Sequence, residues 1–337
     1  MGTIKSKGNP RLKLIFNVSA LVFVFFIACS FVVYHVHKQN TLRKHIEDSK
    51  NVNMQITRLL SLWVDNNYFL THLISESQYV IETCANPTNE YLRTSAKKYL
   101  KHILKDYVCL ENIVLVTLMD KAENIYITDG NVKKNITKGS ILLDAVGRFE
   151  TIEENLLDKD YIQSILSGKK CYTGESYFSS IANQTIVPTS VPIMYKGKLI
   201  GAIVTAVQLS FFHDYYIRNV KRGETGYMSV IDERGRIMYH PNKAFILNDK
   251  FAKDNSEMIS LITNNNEIIR ASVYGIPKII VSKRVNVSNE FVRDAWYVVS
   301  SQNVDEILDE TRTFIIEFFI FMILFSTLIF FAIFLFY

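Results

Sequence analysis

Two long apolar runs, one near each end of the chain, constrain the fold more than any other feature of the sequence. Residues 14–36 contain no Asp, Glu, Lys or Arg, and residues 314–337 contain one such side chain, Glu317. Each run exceeds the roughly 20 residues that a helix needs to cross the hydrocarbon core of a bilayer. The sequence therefore predicts two transmembrane helices with one folded region between them.

The first run is also open to interpretation as a cleaved signal peptide. The apolar core of a signal peptide is shorter, about 7–15 residues, and residues 34–37 lack the small side chains of a cleavage site. An uncleaved anchor is favoured, and the short segment before it, residues 1–13, contains four basic side chains and no acidic one: Lys5, Lys7, Arg11 and Lys13. The positive-inside rule predicts a cytoplasmic N-terminus and places residues 37–313 outside the cell, at the plasma membrane.

Charge and motifs exclude several classes of protein. The chain has 38 Lys and Arg against 33 Asp and Glu, a net charge of +5 over 337 residues, so we expect no nucleic-acid partner. Neither a phosphate-binding G-x-x-x-x-G-K-S/T loop nor an H-E-x-x-H zinc motif occurs. We predict no catalytic residue, no metal site and no cofactor.

A helical pattern follows the first run. Apolar residues recur on one helical stripe, and no Gly or Pro interrupts the sequence before Pro87. The stripe consists of Leu42, Ile46, Ile56, Leu60, Trp63, Leu70, Ile74 and Ile81. It predicts a single helix through Cys84 within a stalk, residues 37–87, and a second helix is expected from residue 88 to about 107.

The pattern then changes to that of strands. Residues 113–119 and 125–128 are rich in β-branched side chains and predict a hairpin. A helix near residues 159–167 and strands at 171–179, 185–194 and 199–208 follow. Helices combined with antiparallel strands predict an α+β module over residues 88–220.

A similar arrangement begins again later in the chain. Residues 229–238 echo residues 117–126, which places Asp232 opposite Asp120. Further strands are predicted at residues 271–274, 278–285 and 295–302. We therefore expect a second module at residues 221–303, a return helix at 304–313 and the second membrane helix at 314–337.

Several segments match one family in order. The sequences YIQSILSG, GESYFS, PTSVPI and GKLIGAIV, and above all GETGYMSVIDERGRIMYHPN from Gly223 to Asn242, resemble the double Cache sensor domain of bacterial receptors. The resemblance implies a long stalk helix followed by two PAS-like antiparallel-sheet modules, of which the membrane-distal one usually holds the ligand. Such domains occur on chemotaxis receptors, sensor histidine kinases and diguanylate cyclases, where the output domain follows the second membrane helix. We expect that output to be absent from this chain.

The resemblance also indicates candidate ligand-binding residues in the distal module. Tyr161, Tyr177, Ser179, Ser180 and Ser190 lie on segments that flank the family's pocket, where hydroxyl groups orient a small polar ligand. Alternatively, the tyrosines fill a sheet face and the serines lie at strand ends.

Two aspartates precede Tyr161. Asp158 and Asp160 either pair with a cationic ligand or cap the helix that starts near Tyr161. Some Cache sensors bind amino acids through an R-x-W-Y pattern, whereas residues 158–161 keep only the tyrosine. An amino acid bound in that manner is therefore not expected.

These observations predict a receptor with two membrane helices that binds a small extracellular molecule and forms a homodimer through its stalk and membrane helices. Two alternatives stay open. The chain is the sensor portion of a membrane histidine kinase or diguanylate cyclase, or it is a surface protein that uses the same fold without a ligand.

Overall fold

A computed structural model describes most of the chain: residues 10–120, 125–129, 132–148, 151–152, 154–179, 184–218, 220, 222–286 and 295–336. These residues belong to two compact units. The first contains the described residues within 10–49, 270–279 and 302–336, and the second contains those within 50–269 and 280–301.

The first helix, α1, runs from Pro10 to Ser75. In the second unit it buries one face, and the predicted stripe is confirmed there by Ile56, Leu60, Trp63, Leu70 and Ile74. The prediction of one helix through Cys84 is wrong, because a separate helix, α2, runs from Gln78 to Ala85. The Ser75 hydroxyl donates to the carbonyl of His72 at 2.7 Å, and such local bonds favour helix ends and turns.

The third helix, α3, runs from Glu90 to Asp106, as predicted. Its N-terminus is capped by Asn89, whose side chain accepts a hydrogen bond from the backbone N–H of Leu92 at 3.2 Å. A six-stranded antiparallel sheet follows, and we call α3 with this sheet the distal module.

The distal sheet has the strand order β4-β1-β8-β7-β5, with β6 also paired to β7. Its strands are β1 (Leu110–Thr117), β4 (Ile141–Asp144), β5 (Tyr172–Thr173), β6 (Tyr177–Ser179), β7 (Gln184–Tyr195) and β8 (Lys198–Gln208). The strands predicted at 185–194 and 199–208 are confirmed, and the stretch predicted at 171–179 forms two short strands, β5 and β6.

The predicted hairpin between residues 113–119 and 125–128 is wrong. Strand β1 pairs with β4 on one side and with β8 on the other. Residues 125–128 belong instead to β2 (Ile125–Asp129), which pairs with β3 (Val132–Ile136) in a separate two-stranded sheet. Strand β1 is therefore an inner strand of the sheet, with a partner at each edge. Its partner Ile141–Asp144 is too short to be recognised from periodicity.

The second sheet has the order β10-β9-β13-β12-β11. Its strands are β9 (Tyr227–Asp232), β10 (Ile237–Tyr239), β11 (Ile268–Val273), β12 (Ile276–Arg284) and β13 (Trp296–Asn303), and the helices α6 (Asp249–Asp254) and α7 (Ser256–Thr263) lie between β10 and β11. We call this region the proximal module. The three late strands predicted from the sequence are confirmed.

The two sheets repeat one topology. In each, the first strand of the module lies between a short strand and the last long strand, so β4 corresponds to β10 and β1 to β9. The sequence echo has a different register, since Asp232 is the last residue of β9 whereas Asp120 lies beyond the end of β1. The hairpin β2–β3 is therefore an insertion between two strands of the distal sheet.

The chain ends with α8 (Val304–Ile307) and α9 (Asp309–Phe336). Helices α1 and α9 each contain a segment that is long and apolar enough to cross a membrane. Within the first unit they lie side by side: Thr311 donates to Thr41 at 3.1 Å, and the rings of His37 and Phe314 stack with centroids 4.6 Å apart.

Burial along α1 predicts a sharp contrast between two neighbouring leucines. Leu60 is fully buried, so Leu60→Ala should lower the free energy of unfolding by about 2–5 kcal/mol. Leu62 is 59% exposed in the single chain, and Leu62→Ala should change the free energy of unfolding of the monomer, at chain concentrations below the dimer dissociation constant, by less than about 0.5 kcal/mol. Urea denaturation of the purified chain, followed by tryptophan fluorescence, measures both values. Equal losses in the two variants would show that this face of α1 is not the packed one.

Candidate functional site

Helix α4 (Asp160–Leu166) places Tyr161 against the distal sheet. Tyr161 is buried, and its backbone carbonyl accepts a hydrogen bond from the Ser190 hydroxyl at 2.7 Å. The same hydroxyl lies 3.3 Å from the carbonyl of Tyr172 on β5. Ser190 is itself fully buried, so it connects α4 to two strands of the sheet.

The two aspartates before Tyr161 have different surroundings. The capping position of α4 is held by Lys159, without a side-chain capping bond, so the predicted capping role of Asp158 and Asp160 is wrong. Asp160 lies in the first turn, where its charge favours the helix dipole, and it accepts a hydrogen bond from the N–H of Glu175 at 3.2 Å. Asp158 is exposed in the turn that precedes the helix.

A side chain at position 174 would crowd the start of this helix. A Cβ atom at Gly174 would lie 3.0 Å from the Tyr161 ring and 3.1 Å from the Asp160 carboxylate. The close approach holds the strand residues that follow Gly174 next to the beginning of α4.

Strand β6 contributes Tyr177 and Ser179. Tyr177 is opposite Ile186 of β7 and is 43% exposed, whereas Ser179 is buried. The remaining candidate, Ser180, lies outside the described residues.

Tyr161 and Tyr177 lie near enough to several acidic groups for these groups to affect the pKa values of both phenols. Burial first, and then the carboxylates of Glu111 and Glu154, raise the pKa of Tyr177 to about 12 against the opposing effect of Arg148. The pKa of Tyr161 is also raised, first by burial and then by Tyr177, Asp160 and Glu154. The two phenols therefore share one acidic neighbourhood.

Glu111 reaches this neighbourhood through a β-bulge. In the pairing of β1 with β8, Leu110 is opposite Val207 and Asn112 is opposite Ala206, so Glu111 is the extra residue. Bulges turn a side chain away from its regular direction and are frequent beside binding sites. The pKa of the Glu111 carboxyl is raised mainly by burial, although the Arg148 guanidinium lowers it.

Asp144 fixes the position of Arg148. Its buried carboxylate accepts hydrogen bonds from Arg148 Nε at 2.9 Å, from the Thr151 hydroxyl at 2.8 Å and from the N–H of Val146 at 2.9 Å. Arg148 Nη1 then lies 3.7 Å from the Glu111 carboxylate. The arginine is therefore already paired with the buried Asp144 carboxylate, and it neutralises the charge of Glu111 only in part.

Among the described residues, the candidate site has two phenolic hydroxyls and more acidic than basic side chains. The carboxylates of Glu111, Glu154 and Asp160 each raise the pKa of at least one of the two phenols, and the opposing cation, Arg148, is already paired with Asp144. Such a site suits a small polar ligand with a positively charged group. Sequence reasoning missed Glu111, Arg148 and Glu154, because they lie on separate segments that carry no shared motif. Among the described residues, no group of three His, Cys, Asp or Glu is arranged to hold a metal ion.

A sequence profile of the double Cache family, described as a Cache domain, matches residues 37–311. The chain belongs to the Cache domain family. The resemblance seen in the sequence is thus confirmed, and the repeated sheets are its Cache modules. Cache domains of this kind are sensor domains rather than catalytic ones.

Solved Cache structures share the fold at low sequence identity. The extracellular domain of the histidine-kinase candidate vpHK1S-Z8 is 10% identical, with a TM-score of 0.60 over 80% of this chain and 99% of that one. The ligand-binding domain of the Pseudomonas fluorescens chemoreceptor CtaA, in complex with L-serine, is 13% identical, with a TM-score of 0.54 over 78% and 99%. The ligand-binding domain of Mlp24 with asparagine is 15% identical, with a TM-score of 0.56 over 80% and 98%. No curated protein sequence shows a significant match.

The Asp144–Arg148 pair predicts a second stability contrast. Asp144→Asn removes a charge that is buried against Arg148, and the free energy of unfolding should fall by about 3–5 kcal/mol. Asp254→Asn changes an exposed carboxylate on α6 and should have an effect below about 0.5 kcal/mol. Urea denaturation compares the two variants, and a loss below 1 kcal/mol for Asp144→Asn would mean that solvent replaces the aspartate.

Proposed function

We propose that this chain is a membrane receptor whose distal Cache module binds a small polar molecule outside the cell and passes the signal across the membrane. The observation that carries the proposal is the pair Tyr161 and Tyr177 with their acidic surroundings at the start of α4. Membership of a sensor-domain family and the fold shared with chemoreceptor ligand-binding domains support it.

The charge of the site favours a ligand with an amino group. Glu111 is partly desolvated, and a nearby cation would stabilise its charged form. L-serine and asparagine, the ligands named for two Cache neighbours, also carry amino groups. Asp158 stands where the amino-acid pattern has arginine, so no cation at that position pairs with an α-carboxylate. We propose an amine as the ligand, with Tyr161 and Tyr177 as the hydroxyl groups that orient it.

The proposed topology has the N-terminus in the cytoplasm, two membrane helices and residues 37–313 outside the cell. Its support is the apolar surface of the two end helices. Large side chains point outward from the protein, with Leu21 73% and Leu328 66% exposed. In water such surfaces are unfavourable, whereas in a bilayer they contact lipid.

Signalling is proposed to use α1 in a homodimer. Exposed apolar side chains recur along α1 at alternating intervals of three and four residues, and we call them the outer stripe: Leu59, Leu62, Phe69 and Leu73, with the exposed Asn66 between them. This spacing is that of a coiled-coil seam, in which a central asparagine fixes the register. A ligand that favours one arrangement of two such helices shifts their equilibrium by its difference in affinity.

The output is proposed to be of the chemotaxis type. The similarity to a histidine-kinase candidate supports the sensor portion of a kinase as a second candidate. Phosphotransfer assays on the protein as produced in its native cells distinguish these outputs.

Ligand binding predicts a thermal shift. The full chain in nanodiscs is heated with primary amines, from ethanolamine to putrescine and small amino acids, and with the alcohol or organic acid that matches each one. A binding amine should stabilise the protein by about 2.7 kcal/mol at a hundredfold excess over Kd, because it binds only the folded state. Glu154→Gln should weaken that amine by about tenfold or more, a loss of about 1.4 kcal/mol.

Glu257→Gln, an exposed acid on α7, is the matched control and should leave the amine shift unchanged. The proposal fails if no amine shifts the unfolding temperature of the folded chain, or if the neutral analogues shift it equally.

The outer stripe predicts dimerisation. Leu62→Arg should raise the dimer dissociation constant at least tenfold, about 1.4 kcal/mol, because it places a charge in the seam. Tyr91→Arg makes the same change at an exposed apolar residue of α3 and should leave the constant unaltered. Sedimentation equilibrium measures both, and equal constants in the two variants would assign the dimer contact to another surface.

A further inference from the structure

We infer a second ligand site in this protein, a cavity between the distal and proximal modules that takes an organic anion with an apolar body. The cavity has a volume of about 750 Å³. It is lined by β6 and β7 of the distal sheet, by α5 (Leu209–Phe212) and the π-helical turn His213–Ile217, and by β10 with the loop that follows it. Small-molecule sites are typically about 300–1,000 Å³, so the cavity has the size of a ligand pocket.

The cavity is separate from the site around Tyr161. Phe178 and Thr185 face each other across the pairing of β6 with β7, and both line the cavity. Because successive side chains of a strand point to opposite faces, Tyr177 and Ser179 point away from it. Binding at this cavity is therefore independent of binding at the site around Tyr161.

Much of the lining is apolar. Phe178 is 55% exposed, and Pro241 and Ile246 border the same space. The ring of His213 stacks on that of Tyr239, with centroids 4.1 Å apart and planes at 18°. These surfaces provide contacts for a flat or branched apolar group.

The charges that line the cavity are unbalanced. The side chains of Arg218 and Lys243 border it and make no hydrogen bond or ion pair with any described residue. The lining acid, Asp214, is already bonded to His213, with Oδ1 3.0 Å from Nδ1. The described lining thus carries two cations against one acid, and a carboxylate or phosphate group would balance the excess positive charge.

Both histidines of the cavity already make hydrogen bonds within the protein. Burial lowers the pKa of His213, although Asp214 opposes the shift. The Nδ1 atom of His240 accepts a hydrogen bond from the N–H of Asn242 at 2.9 Å. Arg218 and Lys243 are therefore the groups that match the charge of an anion.

Thr185 supplies an independent indication. Thr185 lines the cavity, and its buried hydroxyl has no hydrogen-bond partner within the described structure. An unpaired buried hydroxyl is unfavourable, and a ligand oxygen in the cavity would satisfy it.

The test uses the full chain in nanodiscs and three probes that share one ring system: 2-naphthoate, the uncharged 2-naphthamide and 2-naphthyl phosphate. Isothermal titration calorimetry, with empty nanodiscs as the blank, measures each dissociation constant. We expect 2-naphthoate or the phosphate to bind at least about tenfold more tightly than the amide. The tighter of the two anions identifies the acid group that the site prefers.

Variants locate the bound anion. Arg218→Gln should weaken it about tenfold or more, whereas Lys253→Gln, an exposed lysine on α6, should leave it unchanged. Thr185→Val should weaken it without lowering the unfolding temperature, which separates ligand contact from a structural role. Tyr177→Phe should leave the constant as it is. Equal binding of the amide and the anions, no binding of any probe, or an Arg218→Gln variant that binds like the original chain would overturn the inference.

Discussion

The packing of one face of α1 against both sheets is the interaction on which the rest of the structure depends. Each fully buried Leu or Ile on this face contributes about 1.5–3 kcal/mol relative to its exposed state. Polar bonds fix the register of the same face: the Asn53 amide donates to the carbonyl of Val281 on β12 at 2.7 Å, and the hydroxyls of Thr71 and Thr205 on β8 lie 2.7 Å apart. One helix therefore aligns the proximal and the distal sheets, and with them the cavity between the modules.

Local patterns made much of this fold predictable. The stripe of α1, the Asn89 cap of α3 and the long strands β7, β8 and β12 depend on residues close in sequence, so their periodicity is visible without a structure. The pairing of β1 with β4 is different, because a strand of four residues has no distinctive period. The end of α1 at Ser75 could not be predicted from the sequence either, since serine hydroxyls compete only weakly with the backbone hydrogen bonds of a helix.

The candidate site was predictable only in part. Tyr161 and Tyr177 were found because they lie in segments that resemble the family. Glu111 becomes part of the site through a bulge, and Arg148 through its bonds to Asp144, and neither effect has a sequence signal. Ser190 shows the opposite case, since its predicted hydroxyl connects α4 to the sheet. A serine hydroxyl can donate a hydrogen bond either to a ligand or to the backbone of a packed element. Only the contacts seen in the structure distinguish the two roles.

The long reach of α1 affects how the chain is made. The bond between Asn53 and Val281 joins residues 228 positions apart. While the polypeptide is being synthesised, the part of α1 that carries Asn53 lacks this partner until β12 has emerged. Its apolar surface is exposed throughout that interval and is open to chaperones or to premature contact with another chain. The order of synthesis thus sets a period of vulnerability that ends only when the proximal sheet closes over the helix.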